Sequence, residues 1–213
     1  MIFEIKSAKN RDDIKGYYKN ALEELNTFFK MKWTRNTPKI FLIPNREEFD
    51  KIYGKKTEEW VVGTTMGSSH NIYLLAPESY EKYSNHTYSD KEYEALLKHE
   101  MSHLFTGIFY QDYLPIWFIE GIAIYSSGQL ELKRKPKEFK SFLEFFEQGG
   151  KGLYDESGWA VMILDKEYGR EKLLKFLKSL NGIENIKDFD KRVKEAYGIK
   201  LNYEWFNSRI NKI

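Results

Sequence analysis

The chain has 213 residues, 41% of them hydrophobic and 16% aromatic, enough to bury a core in one domain of ordinary size or in a catalytic unit of two small lobes. Its 34 basic and 32 acidic residues leave a net charge of +2, so no long-range field draws it to nucleic acid or to an anionic membrane. There is no cysteine, which excludes disulfides, thiolate metal ligands and cysteine nucleophiles together.

The first six residues carry charges where a secretion signal needs an apolar core, and the expectation is a cytoplasmic protein. Residues 10–31 place Ile14, Tyr17, Tyr18, Leu22, Leu25 and Phe28 at helical spacing. Residues 39–43, closed by Pro44, predict a short buried strand, and Asn45 is placed to cap a short helix through Tyr53. Two more strands, 60–65 and 71–76, flank the turn Gly67-Ser68-Ser69-His70 and predict a hairpin. Residues 80–87 are polar and irregular, and His70 and His86 read as surface residues. From Ser89 onward the pattern predicts helices at 90–109, 115–127, 137–148, 155–167, 170–180, 186–196 and 202–211, punctuated by glycines. The basic run Lys133 to Lys137 reads as a solvated loop. Strands first and helices later give an α+β fold: a single unit over 1–213, with a small mixed α/β lobe (1–88) carrying a short sheet and a helical lobe (89–213).

The helix at 90–109 carries His99-Glu100-Met101-Ser102-His103, an H-E-x-x-H motif. Five residues are too few to decide a function, so their setting matters. Ser89 and Glu92 form a capping box, and Tyr93, Leu97, Met101, Leu104, Phe105 and Ile108 make one apolar stripe. The stripe centres roughly 150° from the midpoint of the two histidines, which are neighbours one turn apart. Two such imidazoles can reach one metal, and Glu100, about 100° from His99, can reach a water on it without being a ligand. The next helix supplies a third ligand. From Ile116 to Tyr125 the only charged residue is Glu120, a carboxylate that is costly to bury unless it meets a cation. Gly121 and Ala123 are read as slimming that side for a close helix approach.

These residues resemble a known group. His99-Glu100-x-x-His103 followed by Trp117-Phe118-x-Glu120-Gly121-x-Ala123-x-Tyr125 is similar to the gluzincins, in particular the compact peptidase-MA-like metallopeptidases with a zincin-like fold. The resemblance implies one zinc ion held by His99, His103 and Glu120, with Glu100 as general base. It also implies a substrate strand added beside 71–76, so Asn71 and Tyr73 are candidate substrate-binding residues. A Tyr or His donor to the oxyanion from the helical lobe is implied too, and Tyr154, at the start of a helix after a glycine-rich loop, is the candidate. One departure stands out: thermolysin-like members carry an Asp four residues after the ligand Glu, and here that position is Ile124.

The expected reaction is hydrolysis of a peptide bond in a peptide or protein substrate, with the cleft between the lobes and no role for nucleic acid or membrane. Two other readings use the same residues: a zinc hydrolase of a non-peptide substrate, and a non-catalytic or self-inhibited binding module that zinc stabilises.

Overall fold

The computed structural model describes residues 4–8, 10–66, 69–110, 114–150 and 152–212; Gly67 and Ser68 of the expected hairpin turn lie outside them. The fold is α+β, a short three-stranded mixed sheet with helices followed by a mostly helical region. The chain divides into two compact units, Met1–Leu104 and Phe105–Ile213.

In the first unit, helix α1 (Asp12–Phe28) is followed by β1 (Lys39–Ile43), α2 (Arg46–Tyr53), β2 (Gly63–Met66) and β3 (Asn71–Leu75). A four-residue helix α3 (Tyr80–Tyr83) precedes α4 (Asp90–Phe109), within which the division of units falls. The Asn45 side chain accepts from the amide of Glu48 at 3.0 Å, capping α2 as expected, and Gly54 closes that helix at φ 84°. The sheet order is β1-β3-β2, with β1 parallel and β2 antiparallel to β3.

That order corrects one expectation. The strand holding Asn71 and Tyr73 is the central one, not an edge. Asn71 lies opposite Lys39 on one side and Met66 on the other, and Tyr73 lies between Phe41 and Thr64, so no side of this strand is open to an added one. The sequence signal was the run Ile72-Tyr73-Leu74-Leu75, all buried, which has no polar alternation. The edges are β1 and β2, and β2 starts at Gly63 rather than at Trp60.

Arg46, at the start of α2, fixes the approach to β2. Its guanidinium donates to the carbonyls of Val61 (2.6 Å), Glu59 (3.1 Å) and Tyr83 (2.5 and 3.1 Å) and to the hydroxyl of Thr57 (2.9 Å). That hydroxyl in turn donates to Asp50 at 2.6 Å. Burial is the main cause that lowers the Arg46 pKa, yet the guanidinium stays charged at any relevant pH.

In the second unit, α5 (Ile116–Ser126) packs on α6 (Leu153–Tyr168), with α7 (Arg170–Ser179), α8 (Ile186–Tyr197) and the short α9 (Tyr203–Asn207) following. Two glycines set the α5–α6 distance. A Cβ at Gly121 would stand 2.6 Å from the Ser157 carbonyl oxygen, and one at Gly158 would stand 2.4 Å from Ile124 Cγ2. Gly121 therefore serves α6, and Ile124, at the position where thermolysin-like enzymes carry Asp, is a core residue against that helix. Trp117, Phe142 and Phe206 meet edge to face in the same core.

Residues 137–148 are not a helix. Apart from a 3₁₀ turn at Phe142–Glu144, the segment is irregular. Phe139, Phe142 and Phe146 are buried at spacings that imitate a helical stripe. The backbone, however, bonds elsewhere. Glu156, 5% exposed, accepts the amides of Lys140, Ser141 and Phe142 on one oxygen at 3.0, 3.0 and 3.2 Å. Asn207 brackets Phe139, accepting from its amide at 2.7 Å and donating to its carbonyl at 3.0 Å. The carbonyls of Phe145 and Phe146 accept from the amides of Trp117 and Ile116, which satisfies the open N-terminal end of α5.

Candidate metal centre

Helix α4 begins as the sequence predicts: the Ser89 hydroxyl accepts from the amide of Glu92 at 3.2 Å. Tyr93, Leu97, Met101, Leu104 and Phe105 are buried, whereas Ile108 is 48% exposed and leaves the stripe near the helix end. The Tyr93 hydroxyl donates to the Leu75 carbonyl at 2.8 Å, which ties α4 to the end of the central strand. Burial raises the Tyr93 pKa well above its ordinary value, so this donor keeps its proton. Lys98 pairs with Glu24 of α1.

The motif face is not open to solvent. His99 and Glu100 are each 7% exposed, and His103 is half-buried. The two imidazoles meet edge to face with their Nε2 atoms 3.1 Å apart. Glu120, half-buried in α5, completes the group: one ligand atom each from His99, His103 and Glu120 lies within 4.8 Å of the others. Among the described residues this is the group of His, Asp and Glu side chains able to hold a metal ion.

The donor set suits zinc. Two imidazole nitrogens and one carboxylate oxygen leave a fourth tetrahedral position. Atoms about 2.0–2.1 Å from one ion at tetrahedral angles lie roughly 3.3–3.5 Å apart. The two nitrogens already stand near that spacing, and the carboxylate is within side-chain reach of it. No family profile matches the chain, and comparison with curated proteins gives no match, so the site is read from its own residues.

Glu100 is adjacent to His99 but outside the ligand group, and it lies against the edge strand. A Cβ built on Gly63 would stand 2.7 Å from Glu100 Oε1, 2.9 Å from Cγ and 3.0 Å from Cδ. The other expected residues are placed as follows. Tyr154 is half-buried in the first turn of α6. The Tyr125 hydroxyl is bound elsewhere: it donates to Asp165 at 2.8 Å, and Arg170 pairs with the same carboxylate at 2.7 Å. Burial and then the hydrogen bond to Asp165 push the Tyr125 pKa up to about 12. His86 is exposed and its Nε2 meets the Trp60 carbonyl at 3.0 Å; His70 is half-buried, edge to face with Trp33. The sequence reading missed Gly63 and Glu156. A glycine inside the expected strand 60–65 was the available signal for Gly63; Glu156, between Asp155 and Ser157, offers none. No helix among the described residues is long and apolar enough to cross a membrane.

Proposed function

We propose that this protein is a zinc-dependent peptidase of gluzincin type. The observation that carries the reading is the pairing of a three-residue ligand group with a buried carboxylate, Glu100, next to it in sequence but outside it. A structural zinc site has no use for such a carboxylate. Zinc held by His99, His103 and Glu120 would make a water acidic at neutral pH and polarise a substrate carbonyl. Glu100 takes the proton of the attacking water and hands it to the departing amine. Its burial keeps competing solvent from the carboxylate. The outer edge of β2, the strand whose Gly63 lies against Glu100, replaces Asn71 and Tyr73 as the place for an extended peptide to pair, giving affinity through main-chain bonds with little sequence preference. Tyr154 is the proposed donor to the oxyanion that forms as the carbonyl is attacked.

The test is zinc quantification paired with cleavage of a mixed peptide library, on the parent and on Glu100→Gln. The parent is expected to carry one zinc and cleave; the variant keeps the zinc and loses turnover. Cleavage by Glu100→Gln at the parent rate removes Glu100 from the mechanism. Zinc in the parent without cleavage of any peptide moves the reading to a non-peptide substrate or a binding module.

A further inference from the structure

Gly63 opens the edge strand, and its backbone runs against the arm of Glu100. Its φ is not in the left-handed region, so conformational freedom does not account for a glycine here. The absent side chain does account for it. The position a Cβ would fill is taken by three atoms of one residue: Oε1, Cγ and Cδ of Glu100. We propose that Gly63 is a positioning residue for Glu100: its bare Cα forms the seat that sets where the carboxylate stands. This rests on Glu100 being the proton carrier proposed above.

The consequence of filling the seat can be sized. Ordinary contact starts at 3.4 Å, so a methyl at 2.7 Å from Oε1 forces that oxygen back by about 0.7 Å, the difference of the two distances. The arm is flexible, so the fold yields; the cost falls on the geometry of proton transfer. Misplacement on the order of 1 Å lowers turnover by on the order of a hundredfold. The three nearest atoms all belong to Glu100 and none to His99, His103 or Glu120, so zinc content is expected to stay at the parent value.

The experiment is Gly63→Ala in the full chain, read by zinc stoichiometry, by kcat on a peptide the parent cleaves, and by a crystal structure. Gly16→Ala serves as control, because a Cβ at Gly16 has no atom within 4 Å. Expected are zinc content equal to the parent, kcat lower by about a hundredfold, and the Glu100 carboxylate displaced. Zinc-loaded Gly63→Ala with parent kcat, or with Glu100 in its original place, overturns the inference. A parent that cleaves no peptide overturns the peptidase reading instead, and the crystallographic position of Glu100 still decides the role of Gly63. If Gly63→Ala does not fold, Gly63→Ala/Glu100→Ala does, since deleting the arm vacates the space. Failure of that double variant to fold also overturns the proposal.

Discussion

Replacing Glu156 with Gln keeps the shape of a buried side chain and removes its charge. One carboxylate oxygen accepts three consecutive amides, at 3.0, 3.0 and 3.2 Å. Hydrogen bonds to a charged group are worth about 1.5–3 kcal/mol and neutral ones about 0.5–1.5 kcal/mol, so each amide loses about 1 kcal/mol and the three together about 3 kcal/mol. In a chain of this length 1 kcal/mol moves Tm by roughly 2–4 °C, which gives a fall of about 6–12 °C. Thermal melts by circular dichroism at pH 7 measure it. Glu138→Gln is the control, an exposed carboxylate in the same segment whose contact with Lys140 is 3.6 Å long. Hydrogen exchange at the amides of residues 140–142 is expected to quicken in Glu156→Gln alone. Because the carbonyls of Phe145 and Phe146 cap the helix that carries Glu120, zinc affinity should weaken as well. A Glu156→Gln protein that melts with the control refutes this account of the segment.

Gly16→Ala, on the exposed side of α1 with open space around the new methyl, should raise stability by about 0.5–1 kcal/mol, read as a higher urea midpoint at unchanged slope. Tyr125→Phe deletes the bond to Asp165 and should cost about 1 kcal/mol at neutral pH. It should also flatten the alkaline limb of the stability curve. The folded pKa of Tyr125 is raised from 10.0 to about 12, so its contribution is complete below pH 10 and is lost as pH climbs from there to about 12. Chelation should lower Tm reversibly; restoring zinc at a hundred times its Kd should return about 2.7 kcal/mol, and Glu120→Ala should abolish most of that gain.

The parts of the fold that the sequence discloses are those whose causes are close in the chain. The Ser89 cap and the period of the apolar residues define α4, and with it the pairing of His99 and His103. The solitary charge in α5 points to Glu120. What it conceals depends on partners far along the chain. Phe139, Phe142 and Phe146 keep a helical rhythm, but Glu156 and Asn207 take the amides and carbonyls a helix would need. Strand order depends on which chain segments meet, and the apolar run in β3 was compatible with an edge until its two neighbours were known. Gly63 reads as an ordinary interior residue of the strand expected at 60–65 until α4 lays Glu100 across it. Gly121 reads as a slim contact for the metal helix, whereas the atoms that crowd it belong to α6.

The Arg46 guanidinium has a consequence for the energetics of recognition. The residues leading into β2 form neither helix nor strand, yet the carbonyls of Glu59 and Val61 are held by one rigid, permanently charged fork on α2. That stretch is already ordered before a ligand arrives. On the proposed peptidase reading, a peptide pairing with β2 would lose its own conformational entropy and little of the protein's, so weakly interacting sequences would still be held long enough to react. Lysine at position 46 could make only a point contact, and the entropy of the freed stretch would then count against every such ligand.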